Sequence, residues 1–226
     1  MPPQNISGLT RIGIWALPLA GLLSLIGGLA SLGSPDPGVD PRGAAQAASS
    51  SGFVLSQFVG NVLAVTLAIF GVIALFAYLA NIGWGRLAAA AMILCILGFG
   101  MLLSFLGIPT YVIPALSRAY LGGQHDAFRV VGAIFDSIFP IIVVASLLYF
   151  LGFLIFSVAI WRSAVLPRGA AVLLAIAGLV LAVPAPSQIL TIVGSVLLLV
   201  AGAWIALSVM REPSGPAEAQ AQPRVR

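Results

Sequence analysis

Few side chains in this sequence are suited to chemistry, and the most suggestive are polar residues within or beside long apolar segments. Gln57 and Asn61 are four residues apart, which places both on one face of a helix. Asp136 is the only acidic residue next to a long apolar segment, and Gln188 begins the last such segment. Because a polar side chain is costly in lipid unless it faces protein or water, these four residues predict a polar vestibule in the outer half of a membrane protein.

A structural role for the same residues is the alternative. Gln57 and Asn61 would then fix helix positions through hydrogen bonds between helices. Asp136 would anchor a helix at the membrane surface, in an ion pair with Arg129 or Arg118. The vestibule hypothesis instead gives Asp136 a role in an ion or proton site at the depth of Asn61.

Residues that commonly build catalytic or metal centres are scarce and far apart. The sequence has one histidine, His125, which we expect on the surface, and one cysteine, Cys95, which we expect to be a packing residue. A zinc site or a bis-histidine haem requires several such ligands, and no nucleophile or phosphate-binding motif is present. We therefore predict a protein that is not an enzyme and holds no metal or other cofactor.

The composition is typical of a protein that uses lipid as its solvent. Of the 226 residues, 61% are hydrophobic and 7% are charged, and the mean hydropathy is +1.14. A soluble domain has about 25% charged residues. All ten basic residues are arginines, spread singly at the ends of apolar segments rather than along a nucleic-acid-binding stripe. Together with the many alanines and glycines, this predicts a multi-pass protein of a bacterial plasma membrane, with the bilayer and not nucleic acid as its partner.

Six apolar segments are candidates for transmembrane helices, since a helix satisfies its own backbone hydrogen bonds in lipid. We predict an all-α bundle of six transmembrane helices within residues 1–211 and a disordered cytoplasmic tail at 212–226. The first apolar segment is longer than that of a signal peptide, which has about 7 to 15 residues, so we expect it to remain as an uncleaved span. The predicted spans are approximately 12–33, 53–80, 87–107, 134–160, 169–183 and 188–210.

The arginines predict the orientation of these spans, because an arginine excess in short loops marks the cytoplasmic side. With six spans, seven arginines fall on one side and three on the other, so both termini are expected in the cytoplasm. The seven are Arg11, Arg86, Arg162, Arg168, Arg211, Arg224 and Arg226, and the three are Arg42, Arg118 and Arg129.

The two long outer segments differ in kind. Residues 34–52 are rich in Pro, Gly, Ser and Ala, which predicts an irregular loop with no core of its own. Residues 108–133 mix aromatic and aliphatic side chains with a few charges, which predicts short helices lying on the outer leaflet between spans three and four. We expect a break between these helices at Gly122 and Gly123.

The first span carries a stripe of small residues at intervals of four. Small side chains allow close approach of helix backbones in membranes. The stripe predicts either packing within the bundle or a face for a second copy or another subunit. It consists of Ala16, Ala20, Ser24 and Gly28.

One hairpin carries a resemblance to known proteins. Arg162 and the run Leu166, Pro167, Arg168, followed by a span rich in Ala, Leu and Gly, resemble a hairpin of uncharacterised multi-span bacterial membrane proteins. The resemblance implies a six-helix membrane fold and no particular activity. Shifting the chain by 82 residues places Arg86 on Arg168, which is the pattern of either a repeat of spans two and three in spans four and five or a chance match of alanine-rich segments.

The sequence thus favours a non-enzymatic polytopic membrane protein that serves as an accessory or scaffold subunit of a membrane complex. Other membrane subunits, or further copies of this chain, would then be its partners. The alternative is a small transporter or channel whose vestibule contains the polar residues named above.

Overall fold

The computed structural model describes residues 8–35, 38–124, 126–183 and 188–211, with the side chain of Phe128 excluded. This part of the chain is helical and contains no strand. Three π-helical segments interrupt the α-helices, at Phe58–Leu63, Ala80–Trp84 and Ile108–Val112. The α-helices are α1 (Gly8–Ile14), α2 (Ala16–Ala30), α3 (Pro41–Ala48), α4 (Ser51–Gln57), α5 (Ala64–Leu79), α6 (Gly85–Gly107), α7 (Ile113–Leu121), α8 (Ala127–Ser163), α9 (Arg168–Leu181) and α10 (Gln188–Arg211).

Six of these helices form a closed ring. α2, α5, α6, α8, α9 and α10 follow one another round the ring, and α10 packs back against α2. α1 runs into α2 with a break at Trp15, because Pro18 has no N–H to donate to the carbonyl four residues earlier. The ring therefore has no gap at which the first and last helices are separated.

Glycines show that neighbouring helices in the ring run in opposite directions. Gly21 of α2 lies against Leu199 of α10, whereas Gly202 further along α10 lies against the earlier Pro18. A Cβ at Gly21 would lie 2.6 Å from the backbone nitrogen of Leu199, so the α2 and α10 backbones touch here. Alternating directions bring α1 and the end of α10 to the same end of the bundle.

The charged residues of the described chain divide between the two ends. We name one the arginine end, where the described charges are all arginines: Arg11, Arg86, Arg162, Arg168 and Arg211. The opposite end carries all of the described acidic residues together with the other arginines: Asp40, Arg42, Arg118, Asp126, Arg129 and Asp136.

Four helical stretches are long and apolar enough to cross a membrane: Gly8–Ala30, Ser51–Leu121, Arg129–Ser163 and Gln188–Arg211. The second, of 71 residues, folds back on itself at Ile82 and at Gly83, where φ is +93°, so that α5 and α6 form a hairpin. α9 is apolar but shorter, with 14 residues. Large apolar side chains are exposed round the ring, among them Phe70, Ile93, Leu147, Leu179 and Val200, as in a protein that faces lipid.

The ring is filled at the arginine end. Here side chains of α1 and of all six ring helices meet with essentially no exposed area. Tyr78 and Phe156 are the bulkiest, and α6 contributes Ala88 and Ala91. We name this region the plug. Its other members include Ile14, Leu17, Leu75, Leu79, Leu174, Ile205 and Val209.

At the opposite end, the prediction of an irregular loop at 34–52 is wrong for part of that segment. Pro41–Ala48 forms α3, whose Asp40 accepts a hydrogen bond from the Gly43 N–H at 2.9 Å and so caps the helix. Ala45 is completely buried where α3 packs against α7. An Asp-Pro start and an alanine-rich sequence favour a short helix, and α7 provides the apolar surface that the segment lacks by itself.

The segment between α6 and α8 is helical, with the expected break at the glycine pair. α7 ends at Leu121, and Gly123 has a φ of +100°. α8 then extends for 37 residues, about 55 Å at 1.5 Å per residue, and includes Pro140. This helix is longer than a hydrocarbon core of about 30 Å.

Candidate functional site: the central cavity

A cavity of about 230 Å³ lies inside the ring, between the plug and the opposite end. Every helix of the ring contributes to its wall, and so does the π-helical segment Phe58–Leu63. Such convergence makes this cavity the feature of the described chain that most resembles a binding site. The lining residues are Ala20, Ser24, Gly60, Asn61, Ala64, Val65, Ala68, Phe99, Leu102, Leu106, Tyr149, Phe153, Leu181, Thr191 and Leu198.

Small residues on α5 and the segment before it create the space. Gly60, Ala64 and Ala68 lie at intervals of four and all face the cavity. Gly60 also lies against Gly27 of α2, where a Cβ on either residue would come within 2.6 Å of the other's Cα. The π-helical turn brings this backbone close to α2, and such turns are frequent at functional sites.

Three aromatic rings separate the cavity from the plug. Phe99 of α6 stacks on Tyr149 of α8, with ring centroids 5.2 Å apart and planes 12° apart. Phe153 meets Phe99 edge-on at 5.8 Å. The Tyr149 hydroxyl donates to the carbonyl oxygen of Leu181, which ties α8 to the end of α9. We name these three residues the aromatic floor.

The polar groups of the cavity wall are uncharged. Asn61 donates through Nδ2 to Oε1 of Gln57, one turn earlier, so the structure brings together two of the four predicted vestibule residues. An amide has both an acceptor and further donor capacity beyond this one bond. Asn61 itself lines the cavity, whereas Gln57 acts through its bond to Asn61.

Two serines join α2 to α10 beside the cavity. The Oγ atoms of Ser24 and Ser195 are 2.8 Å apart, and Ser195 Oγ donates to the Thr191 carbonyl oxygen at 2.7 Å. A serine has one hydroxyl hydrogen. Since Ser195 gives its hydrogen to Thr191, Ser24 is the donor in the serine pair.

The other two predicted vestibule residues lie elsewhere. Asp136 is exposed on the first part of α8 and does not line the cavity. The nearby ion pair joins Arg129 to Asp126, at 3.9 Å, rather than to Asp136. Gln188 is exposed, and its Nε2 donates to the Ser31 carbonyl oxygen at 2.8 Å, which links the start of α10 to the end of α2.

The small-residue stripe of the first span is occupied within the chain. Ala20 is 2% exposed, Ser24 bonds to α10, and Gly28 lies against Ile192 of α10. Ala16 is also buried. Ser24 and Gly28 thus contact α10, and Ala16 and Ala20 are buried within the chain.

No group of three or more His, Cys, Asp or Glu side chains that could hold a metal ion occurs among the described residues. Cys95 is buried, and its Sγ lies 3.8 Å from the Tyr149 carbonyl oxygen. His125, the predicted tail at 212–226 and the prolines at 184 and 186 lie outside the described residues.

The aromatic floor and Ser195 were not predicted from the sequence. Tyr149 and Phe153 are four residues apart, a visible signal, but aromatic pairs of this kind are common in helical cores. Phe99 meets them from another helix, and the sequence does not reveal that pairing. Ser24 and Ser195 are 171 positions apart.

Comparison of the chain with protein-family models, with curated proteins and with solved structures found no match in any of the three.

Proposed function

We propose that the chain is an integral protein of a bacterial plasma membrane that crosses the bilayer six times, with both ends in the cytoplasm. The closed ring of six antiparallel helices and its belt of exposed apolar side chains support six spans. The concentration of arginines among the described residues of the arginine end supports a cytoplasmic location for that end. The segment around α7 would then lie on the outer leaflet.

α9 is the span that needs explanation, since its 14 residues extend about 21 Å. A helix shorter than the hydrocarbon core is accommodated by local thinning of the bilayer and by flanking side chains that reach the interface. Arg168 at its first residue is well suited to that role. Neighbours on both sides, α8 and α10, hold α9 in the ring.

Single cysteines test the orientation in intact cells. Ser49→Cys, next to α3, should react with a membrane-impermeant maleimide, and Ser163→Cys, at the end of α8, should react only after the cells are opened. The native Cys95 is buried, and the unsubstituted chain serves as the blank. Labelling of Ser163→Cys in closed cells would refute the proposed topology.

The function that the geometry supports best is the binding of a small uncharged molecule in the central cavity, as a small transporter would bind its substrate. The main observation in support of this function is that all six ring helices line one cavity, whose described lining includes no Asp, Glu, Lys, Arg or His. The plug closes the path beyond the aromatic floor, so the cavity has the form of a receptacle rather than a continuous pore.

The volume and lining define the class of ligand. An apolar cavity of about 150 Å³ holds benzene, so about 230 Å³ has room for one ring with a small substituent. Phe99 and Tyr149 offer aromatic surface, and Asn61 offers a hydrogen bond. A neutral aromatic molecule with one hydroxyl or N–H group fits both properties.

Phenol is a suitable probe, with binding to the purified chain in nanodiscs followed by saturation-transfer NMR. Ala64→Phe fills the cavity and should abolish the signal, while Leu63→Phe, an exposed neighbour, should preserve it. Asn61→Leu should weaken phenol binding about tenfold, the value of one hydrogen bond. Equal signals from Ala64→Phe and Leu63→Phe would refute binding in this cavity.

An accessory or scaffold role is the second candidate, and α8 is the feature that favours it. Side chains on several sides of its first part are exposed, including Val130, Phe135, Phe139 and Ile141. If a partner subunit covers them, Phe135→Ser with Phe139→Ser should reduce the size of the complex extracted from native membranes. Leu147→Ser, on the exposed ring surface, is the control, and an unchanged size would count against this role.

A further inference from the structure

The arginine end contains a shallow hollow of about 510 Å³ beside the α5–α6 turn. The turn leaves space because Gly83 adopts a φ of +93° and carries no side chain. Two arginines from different parts of the chain, Arg86 of α6 and Arg162 of α8, line this hollow. The remaining lining residues are Ala80, Gly83, Trp84, Gly85 and Leu87.

The charge around this hollow is not balanced by any described acidic residue. The three described acids, Asp40, Asp126 and Asp136, all lie at the opposite end of the bundle. An ion pair between described residues, Arg129 with Asp126, is also at that end. Arginines that no described acidic residue balances attract an anion from the surroundings.

Two helix N-termini add to the positive potential. Arg86 is the second residue of α6 and Arg168 is the first residue of α9, and neither helix has an acidic residue in its first turn or a side-chain cap. The amino end of a helix carries about half a positive charge, so an arginine there is unfavourable unless an anion is bound close by. Exposed helix N–H groups are themselves ligands for phosphate oxygens.

An apolar groove of about 200 Å³ adjoins this charged region on the outer surface of α8 and α9. Arg162 lines both the hollow and the groove, so the two spaces adjoin at this side chain. Arg168 lies over the ring of Trp161, 5.5 Å from its centroid, and Trp161 also lines the groove. The other groove residues are Ser157, Val158, Ala171, Val172 and Ala175.

We infer that the hollow and the groove together bind one anionic phospholipid. Arg86 and Arg162 hold the headgroup phosphate, Trp84 and Trp161 lie at the level of the glycerol backbone, and the groove receives an acyl chain. Arginines between helices at the cytoplasmic surface are the usual contacts of anionic headgroups. The inference rests on the proposed membrane placement, with the arginine end at the inner leaflet.

Native mass spectrometry of the full chain released from nanodiscs tests the inference, with phosphatidylglycerol and phosphatidylcholine of identical acyl chains. We expect retention of one phosphatidylglycerol and little phosphatidylcholine. Arg86→Ala and Arg162→Ala should each reduce that retention about five-fold, the usual contribution of one basic residue near a membrane surface. Arg42→Ala, an exposed arginine at the opposite end, should leave it unchanged.

The groove is tested separately from the charges. Ala175→Phe should fill the groove and reduce lipid retention, while Ile176→Phe, its exposed neighbour, should not. Inorganic phosphate serves as the soluble probe. If it competes with the lipid at millimolar concentration and Ala175→Phe has no effect, the hollow binds free phosphate and the lipid assignment is overturned.

The remaining outcomes distinguish this inference from the proposed membrane placement. Equal retention of the two lipids, or equal effects of Arg86→Ala and Arg42→Ala, overturns the anionic-lipid site and leaves the six spans intact. Failure of the chain to incorporate into nanodiscs of either lipid overturns the membrane placement itself.

Discussion

Gly21 and Leu199 show how closely two helices of the ring approach. The space that a Cβ at Gly21 would need is occupied by the backbone of α10, which cannot move as a flexible side chain would. Without a hydrophobic driving force between helices in lipid, such close packing and the Ser24–Ser195 hydrogen bond carry much of the association. The contact between α2 and α10 also closes the ring.

A methyl group at Gly21 should therefore destabilise the fold. We expect Gly21→Ala to lower the free energy of unfolding by about 1–3 kcal/mol, the usual cost of overpacking. Gly100→Ala on α6 is the control, since nothing lies within 4 Å of the added Cβ, and it should be neutral or slightly stabilising. Denaturant unfolding in mixed micelles measures both. Equal stabilities of the two variants would contradict the close contact.

The serine pair gives a second residue-scale prediction. Ser24→Ala and Ser195→Ala should each destabilise the protein, and the double variant should cost less than the sum, because both remove the same bond. Hydrogen bonds between membrane helices contribute about 0.6 kcal/mol on average. The same unfolding assay gives the coupling energy, and strict additivity would show that the pair does not form.

At the scale of elements, the two turns at the arginine end both contain a residue in the left-handed conformation, but the residue type differs. The α5–α6 turn places glycine, Gly83, in the left-handed region with a φ of +93°. The α8–α9 turn places Ala164 there instead, with a φ of 54°, so that an alanine ends α8. A left-handed conformation costs an L-residue about 1 kcal/mol, while glycine adopts it freely.

Substitutions at the two turns should thus have effects of opposite sign. Gly83→Ala should destabilise the chain by about 1 kcal/mol, and Ala164→Gly should stabilise it by a smaller amount. Gly107→Ala tests whether a new methyl group alone matters, because that glycine is helical and its surroundings are open. Thermal unfolding in detergent reports all three, and stabilisation by Gly83→Ala would refute this account of the turn.

The sequence predicted the long elements well and the short one poorly. Apolar segments dominate the pattern, and each predicted span overlaps a helix of the ring. α3 was missed because its apolar face, Ala44 and Ala45, is short and made of small side chains within a segment rich in Pro, Gly and Ser, and its burial depends on packing against α7. The site was predicted in part: Gln57 ends α4 and Asn61 lies one turn later in the π-helical segment that continues it, so their spacing was informative. Whether Asp136 and Gln188 line the cavity depends on how the helices pair in space, and the spacing of residues along the chain does not determine that pairing.

At the scale of the whole molecule, the bundle has a packed half and an open half. The plug has essentially no exposed area at Leu75, whereas Leu102 lines the cavity and remains partly exposed. The two leucines belong to neighbouring helices, α5 and α6. Packing differs between the halves although both are built from the same kinds of side chain.

The same truncation should consequently cost more in the plug than at the cavity. We expect Leu75→Ala to destabilise the protein by about 2–4 kcal/mol, because it leaves a void among tightly packed neighbours. Leu102→Ala, which enlarges an existing space, should cost less than about 1 kcal/mol. Unfolding in mixed micelles provides the comparison, and a larger loss for Leu102→Ala would show that the cavity half is the more tightly packed one.

Pro140 bears on the point along α8 at which the helix would pass from the membrane into water. Proline has no N–H, so it cannot satisfy the carbonyl of the residue four positions earlier, which is Asp136. The Asp136 carbonyl oxygen therefore lacks this helical hydrogen bond, and the Asp136 carboxylate is exposed. Both groups are costly in hydrocarbon, which offers no hydrogen-bond partner. The remainder of α8, 141–163, measures about 34 Å, close to the thickness of a bilayer's oily interior. In the proposed placement, Asp136 and Pro140 would thus mark the depth at which α8 leaves the membrane, and the turns before them would lie in the outer aqueous phase.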